Sequence, residues 1–330
     1  FPTIQLPNSM LRVYPERADY TSELLKGLPL IVTNHRERSA FNLSPCQGEE
    51  LRPIITYNYD NEHITPYSYE VELDDNRMKA EYALSHQSAI YRITFEADKP
   101  AYLIVNSRNG SIHANENFIS GRQQLNNNTS VYVYIEPQEK PVSTGILENG
   151  TINTSKDNAE GVNTCAAWRF ADGTTTVSLR YGISISEEQA EKNLHRELKD
   201  YNIKALAEAG RRVWNETLGR IKVEGGTEDD KTVFYSSFYR TFERPICMSE
   251  DGRYFSAFDG KVHEDNGTPF YNDDWIWDTY RAAHPLRTLI DRQKEEDIIA
   301  SYLRMAEQMG NMWMPTFPEV TGDTRRMNSN

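Results

Sequence analysis

One fourteen-residue stretch of the sequence concentrates most of the residue types that could do chemistry. Residues 273–286 read DDWIWDTYRAAHPL, a mixture of three aspartates, two tryptophans, an arginine and a histidine that is too polar for a core helix. If this Asp-Trp stretch is one helix, Asp274, Asp278 and Arg281 fall along one stripe. Carboxylates four residues apart repel each other unless a ligand uses them.

A hydroxyl-rich ligand would suit this stripe, because carboxylates accept hydrogen bonds from sugar hydroxyls and an indole packs against the apolar side of a pyranose. The purely structural alternative is a helix N-terminus whose acidic residues favour the positive end of the dipole. In that case Arg281 simply pairs with Asp278. The same stretch predicts a kink at Pro285, and His284 before it is expected to satisfy a backbone carbonyl.

Length and charge limit the class of protein. The chain has 330 residues, of which 38% are hydrophobic, and this length suggests roughly two domains. A net charge of −13 without a basic run argues against a nucleic-acid partner. No apolar stretch approaches the ~20 residues that a membrane span needs, so no span is expected.

The periodicity of apolar residues changes along the chain. From about residue 50 to 185 it has a period of two, as in Tyr69, Val71 and Leu73, with turn signals between the segments. This pattern predicts an antiparallel β-sandwich. After Ser186, which with Gln189 is expected to form a capping box, the period becomes helical.

Further helices follow along the second half of the chain. Thr227 and Asp230 predict a capped helix. Near the end of the chain, an apolar stripe predicts a helix with Ile299 and Leu303 among its buried residues. Strands first and helices afterwards indicate two domains.

Several short sequence motifs of the helical half resemble those of glycoside hydrolase family 92, the calcium-dependent, inverting exo-α-mannosidases. They occur in the family's order: WNETLGRI at 214–221, VEGGTED at 223–229, FY at 234–235, DGRY at 251–254, WDTYR at 277–281 and HPL at 284–286. The strand region is similar to the family at fewer words: YDNE at 59–62, TPY at 65–67, VELDD at 71–75 and YRITF at 91–95. The resemblance covers most of the chain.

This resemblance implies a multi-domain β + α fold. Residues 1–185 would form the N-terminal antiparallel β-sandwich and residues 186–219 a helical linker. Residues 220–330 would then be the first, incomplete part of an (α/α)₆ catalytic barrel.

The implied activity is calcium-assisted, inverting hydrolysis of α-linked mannose at the non-reducing end of mannans or N-glycans. Trp277 and Asp278 would bind the terminal mannose, and Arg281 would orient Asp278. The general acid, the general base and much of the calcium site are expected beyond Asn330, in a further C-terminal segment of the same protein. The expected location is the periplasm, the cell surface or the medium of a bacterium.

One departure from the family falls near the end of the chain. Residues 321–327 read TGDTRRM where the family commonly has GNETNCM, a segment that lines the pocket. Asp323, Arg325 and Arg326 are therefore further candidates for substrate binding. The two guanidinium groups would either narrow the leaving-group side or recognise an anionic aglycone such as a phosphorylated sugar.

Two other classes of function fit the same residues. A non-catalytic carbohydrate-binding protein would also keep Trp277 and could dispense with catalytic carboxylates. Another α/α-barrel glycosidase or a phosphorylase is the second alternative, and in a phosphorylase Arg325 and Arg326 would form the phosphate site.

Overall fold

The computed structural model forms two compact units. The first consists mainly of Leu11–Leu125 and Ser130–Arg211, and the second mainly of Arg212–Asn330. The domain boundaries expected after residues 185 and 219 stay predictions. The structure describes residues 3–19, 21–33, 39–48, 50–74, 77–126 and 128–323.

The first unit is built from β-strands, and every strand pair among its described residues is antiparallel. The strands are β1 (Ile4–Gln5), β2 (Arg12–Val13), β3 (Leu24–Lys26), β4 (Leu28–Pro29), β5 (Phe41–Cys46), β6 (Thr56–Ile64), β7 (Ser68–Leu73), β8 (Met78–Leu84), β9 (Ser88–Thr94), β10 (Tyr102–Ala114), β11 (Ile119–Gln124), β12 (Ser130–Pro137), β13 (Ser143–Glu148), β14 (Thr151–Asn153), β15 (Asn158–Arg169) and β16 (Thr176–Ser184).

Most of these strands belong to one sheet that folds over a shared core. Its order is β14-β13-β15-β10-β11-β12-β16-β9-β8-β7-β6-β3, with β5 also beside β10 and β4 beside β5. Tyr91 on β9 and Tyr181 on β16 donate hydrogen bonds to the carbonyls of Pro29 and Leu30, each at 2.7 Å. Strands from distant parts of the sheet therefore face each other, as the predicted antiparallel sandwich requires.

The helices follow the strands, as the periodicity predicts. They are α1 (Gln189–Glu197), α2 (Ile203–Leu218), α3 (Glu228–Arg240), α4 (Ile276–Thr279), α5 (Ala283–Ile290) and α6 (Arg292–Gln308). Short strands lie between and after them: β17 (Ile246–Cys247), β18 (Arg253–Ser256), β19 (Lys261–Glu264), β20 (Tyr271–Asn272), β21 (Pro318–Glu319) and β22 (Gly322–Asp323). Among the described residues, no helix is both long and apolar enough to cross a bilayer.

The two predicted capping boxes had different outcomes. Thr227 and Asp230 exchange hydrogen bonds at the start of α3, so that prediction is confirmed. The box at α1 is wrong, because α1 begins at Gln189 itself and its N-cap is Glu188, without a side-chain cap. The Gln189 side chain bonds Asn193 within the helix instead.

α1 packs directly on the sheet of the first unit. Leu194 and Leu198 lie in a buried cluster with Ala83 and Ile90. Gly182 on β16 makes this approach possible, since a Cβ there would lie 2.2 Å from a carbonyl oxygen of α1.

Candidate active site

The Asp-Trp stretch forms two short helices rather than the single helix predicted from its sequence. The break falls at Ala282, whose backbone angles of φ −132° and ψ −50° leave the helical region. Pro285 consequently lies in the first turn of α5, where proline is tolerated, and it does not kink a longer helix.

Asp274 precedes both helices and is fully buried. Its backbone N–H donates to the carbonyl of Pro318 at 3.0 Å, and the N–H of Ile276 donates to that of Thr316 at 3.3 Å. Because the chain is still paired with this neighbouring segment, the helix starts only at Ile276. The predicted common stripe of Asp274 and Asp278 is therefore wrong: the first carboxylate is buried and the second is exposed.

The buried carboxylate of Asp274 is fully hydrogen-bonded. Its Oδ2 accepts from Nε2 of His284 at 2.9 Å and from the hydroxyl of Tyr302 at 2.6 Å, and Oδ1 accepts from the N–H of Trp275 at 2.8 Å. Burial alone would raise the pKa of Asp274, but the bonds from His284 and Tyr302 hold this pKa below its ordinary value. Asp274 is therefore ionised, and both of its carboxylate oxygens are used in hydrogen bonds within the protein.

His284 bridges two carboxylates. While Nε2 bonds Asp274, Nδ1 lies 2.6 Å from Oε1 of Glu295 on α6. Burial lowers the pKa of His284, but the two carboxylates outweigh it and raise the pKa to about 9. The ring is therefore an imidazolium at neutral pH, and the prediction that it satisfies a backbone carbonyl is wrong.

Arg287 completes the buried charge network. The side chain of Arg287 is 1% exposed, and its Nε donates to Oε2 of Glu295 at 2.9 Å. Nη1 donates to the carbonyl of Thr241 at 3.2 Å. Although burial would raise the pKa of Glu295, His284 and Arg287 lower it. Two carboxylates and two cations thus balance each other.

Sequence analysis missed Glu295, Arg287 and Tyr302. Two spacings carried a signal: Glu295 and Tyr302 lie seven residues apart on one face of α6, and His284 and Arg287 lie three apart on α5. Periodicity alone does not show that these two faces meet.

Trp277 and Asp278 lie on the exposed side of this stretch. Trp277 is 56% exposed, which is unusual for so large an apolar side chain, and the Asp278 side chain also faces solvent. The pair therefore presents an indole and a carboxylate from one helical turn.

Arg281 has a different partner from the one predicted. Its Nε donates to the hydroxyl of the adjacent Tyr280 at 2.6 Å, and its guanidinium lies 5.4 Å from the centroid of that ring. The predicted pairing of Arg281 with Asp278 is wrong, because the neighbouring tyrosine captures the guanidinium. The part of Arg281 in substrate binding stays a prediction.

Two side chains, those of Arg244 and Phe317, pack against the ring of Trp275. The guanidinium of Arg244 lies 5.0 Å from its ring centroid, and Phe317 meets it edge to face at 5.9 Å. Arg244 also lies 3.8 Å from the buried carboxylate of Asp273. These contacts fix the chain just before the exposed turn.

The remaining predicted site residues fall at the end of the described chain. Asp323 is the last residue of β22, and its backbone pairs with Pro318. Arg325 and Arg326 lie outside the described residues. Their predicted part in substrate binding stays a prediction.

The expectation of calcium stays a prediction, because much of the expected calcium site lies beyond Asn330. Within 3–19, 21–33, 39–48, 50–74, 77–126 and 128–323, no group of three or more His, Cys, Asp or Glu side chains could hold a metal ion. Asp274, His284 and Glu295 do lie together, but they use their polar atoms on each other and on Arg287 and Tyr302. These three side chains therefore commit their polar atoms to the buried network rather than to an ion.

The fold consists of an antiparallel β domain followed by a helical region, and two family models match these two parts of the chain. The model of the glycosyl hydrolase family 92 N-terminal domain matches residues 1–184, and that of the family 92 catalytic domain matches residues 189–330. The chain belongs to glycoside hydrolase family 92.

Solved structures of the family are similar over the whole chain. The family GH92 inverting mannosidase of Bacteroides thetaiotaomicron VPI-5482 is 26% identical with a TM-score of 0.88, and the match covers 100% of this chain and 48% of that one. A GH92 α-mannosidase of Bacteroides thetaiotaomicron in complex with mannoimidazole is 23% identical with a TM-score of 0.88, covering 99% and 49%. The chain thus spans about half the length of these proteins. No curated protein sequence matches it significantly.

Proposed function

We propose that the intact protein is an inverting exo-α-mannosidase that removes α-linked mannose from the non-reducing end of mannans or N-glycans. The observation that carries the proposal is the exposed Trp277–Asp278 pair, presented on a turn that begins two residues after the buried Asp274. Family membership supports it, as does the similarity to a protein named an inverting mannosidase. The expected substrates are extracellular polymers, so we propose a periplasmic, cell-surface or secreted location.

In this proposal Trp277 packs its indole against the apolar side of the terminal mannose. Asp278 accepts hydrogen bonds from the sugar hydroxyls. The buried network of Asp274, His284 and Glu295 holds the preceding chain in place, and a binding pair on a fixed support loses less entropy when the ligand arrives.

The general acid and base belong to other carboxyl groups of the intact protein. Inverting hydrolysis needs one protonated carboxyl and one carboxylate about 6.5–9.5 Å apart, with a water molecule between the base and the sugar. A general acid requires a raised pKa, whereas the pKa values of Asp274 and Glu295 are lowered. The lowered pKa makes each of these two residues a poor general acid at neutral pH.

Calcium dependence is a separate part of the proposal and applies to the intact protein. No group of three or more His, Cys, Asp or Glu among the described residues could hold the ion, so we expect its ligands mainly in other parts of the protein. The binding roles given to Trp277 and Asp278 do not require the ion.

The test is a panel of α-mannobiosides of different linkage, incubated with the intact protein before and after exhaustive chelation. We expect mannose release from at least one linkage, loss of release on chelation and recovery when Ca²⁺ is returned. Binding of a mannobioside without hydrolysis would support the carbohydrate-binding alternative. Release that requires inorganic phosphate would support a phosphorylase.

A further inference from the structure

A cavity of about 720 Å³ opens on the polar face of the β-sheet unit. Its floor is formed by the adjacent strands β15, β10, β11 and β12, and one side by the start of α1. All lining residues belong to the first unit, and none belongs to the Asp-Trp stretch. The volume falls within the ~300–1,000 Å³ that is usual for ligand pockets.

The alternation of the strands explains the polarity of this floor. On β12, Val131 and Val133 are buried in the core, while Tyr132 and Tyr134 point to the opposite face and are only half-buried. The two tyrosines therefore lie on one face, about 7 Å apart along the strand.

The registers of the four strands align polar side chains in two rows across the floor. The first row is Glu160, Ser111, Arg122 and Tyr132. The second row is Asn158, His113, Ser120 and Tyr134. With strands ~4.8 Å apart, each row is about 14 Å long and has an aromatic ring at one end.

The floor is close to electrically neutral. Arg122 Nη2 lies 3.0 Å from Oε1 of Glu160, and both side chains remain accessible, at 34% and 74% exposure. The ring of Tyr134 is supported by Phe118, stacked with centroids 4.9 Å apart. The result is a surface of mixed hydrogen-bond donors and acceptors beside two tyrosine rings, of which Tyr134 is packed against Phe118.

The wall of the cavity is acidic. Glu187, Glu188 and Glu191 line it together with Lys192. Glu188 adopts the left-handed conformation, with φ 62°, which is uncommon for a residue other than glycine. Excess negative charge disfavours anionic ligands such as phosphates or sulfated chains.

We propose that this sheet-face cavity binds a neutral oligosaccharide. Each sugar hydroxyl can both donate and accept hydrogen bonds, which matches the Arg122–Glu160 pair and the serine hydroxyls of the floor. The apolar side of a pyranose ring fits against Tyr132. The proposal does not rest on the mannosidase function, since the cavity uses none of its residues.

Affinity electrophoresis through gels containing soluble polysaccharides tests this site. The protein carries Asp278→Ala, so that binding at the Trp277–Asp278 pair is weakened throughout. The probes are a neutral α-mannan, a neutral glucan and a sulfated polysaccharide. Tyr132→Ala should weaken the retardation by a neutral polysaccharide about three- to tenfold, as expected for the loss of one stacking partner. Tyr67→Ala, at a half-buried tyrosine of the same unit outside the cavity, is the matched control.

A second variant tests the same site independently, in case Tyr132→Ala misfolds. Arg122→Gln removes the central guanidinium from a partly exposed position and should weaken the same binding. Retardation by no neutral polysaccharide, or retardation unchanged in both variants, would overturn the proposal. Binding of a basic peptide alone, dependent on Glu187 and Glu191, would overturn it in favour of a peptide site.

Discussion

The residue that organises the candidate active site is His284, a cation between the carboxylates of Asp274 and Glu295. Breaking a buried charge pair is costly, because the partner is left without compensation. A His284→Gln variant should therefore be strongly destabilised at neutral pH. Its effect on substrate binding should be indirect, through the position of the chain that leads to Trp277.

The stabilisation by His284 should depend on pH. Because folding raises its pKa from 6.5 to about 9, its contribution is fully present below about pH 6.5 and is lost as the pH rises through about 9. The difference in unfolding free energy between the parent and His284→Gln should be on the order of 3 kcal/mol near pH 6 and much smaller near pH 10. Urea unfolding at a series of pH values measures it.

The exposed His63→Gln is the matched control for the loss of an imidazole. A difference between the parent and His284→Gln that stays constant from pH 6 to pH 10 would contradict the bridging role.

The two carboxylates of the network affect stability at acidic pH. Their lowered pKa values give Asp274 and Glu295 a contribution that is present above their ordinary values of 3.8 and 4.5 and is lost as the pH falls further.

Asp278 should show the opposite behaviour, because it is exposed and takes no part in the buried network. Asp278→Ala would remove charge-assisted hydrogen bonds to mannose worth ~1.5–3 kcal/mol each. With two such bonds, kcat/KM should fall by roughly two to four orders of magnitude while the fold stays intact. Steady-state kinetics and thermal melting of the intact protein measure both effects.

Asp229→Ala, at an exposed aspartate near the start of α3, is the matched control for Asp278→Ala. If Asp278→Ala lowers the melting temperature yet turns over substrate at the parental rate, the residue only stabilises α4. The substrate site would then have to lie elsewhere.

At the scale of elements, the sequence predicted the type of each element better than the residues at which it begins and ends. The capping box at Thr227 was correct because both partners are local. The start of α4 at Ile276 was not predictable, because it follows from pairing of the preceding chain with residues 316–318. The break at Ala282 has no signal in the sequence. On α6, Ile299 and Leu303 are 48% and 54% exposed, since Ile298 and Tyr302 take the covered face.

The capping box itself gives an element-scale prediction. Thr227→Ala should cost about 1 kcal/mol of stability, because the N–H of Asp230 loses its acceptor at the start of α3. Thr232→Ala is the matched control within the same helix, where the hydroxyl only bonds the carbonyl of Glu228. Equal shifts of the urea midpoint in the two variants would show that the cap contributes nothing.

At the scale of the whole molecule, the order of strands before helices followed from the change in periodicity near residue 186. The buried network did not, because its members come from residues 274, 284, 287, 295 and 302 and meet only through tertiary packing. The motif words identified the family without this information. The sequence motifs thus identify the family, whereas only the tertiary contacts show the buried network.

The stereochemistry of the first product tests the central claim most directly. Proton NMR can follow an α-mannoside mixed with the intact protein before the released sugar mutarotates. An inverting exo-α-mannosidase should release β-mannose first, because water attacks the face opposite the leaving group. Initial release of α-mannose, or of no mannose from any α-linked substrate, would contradict the proposed function.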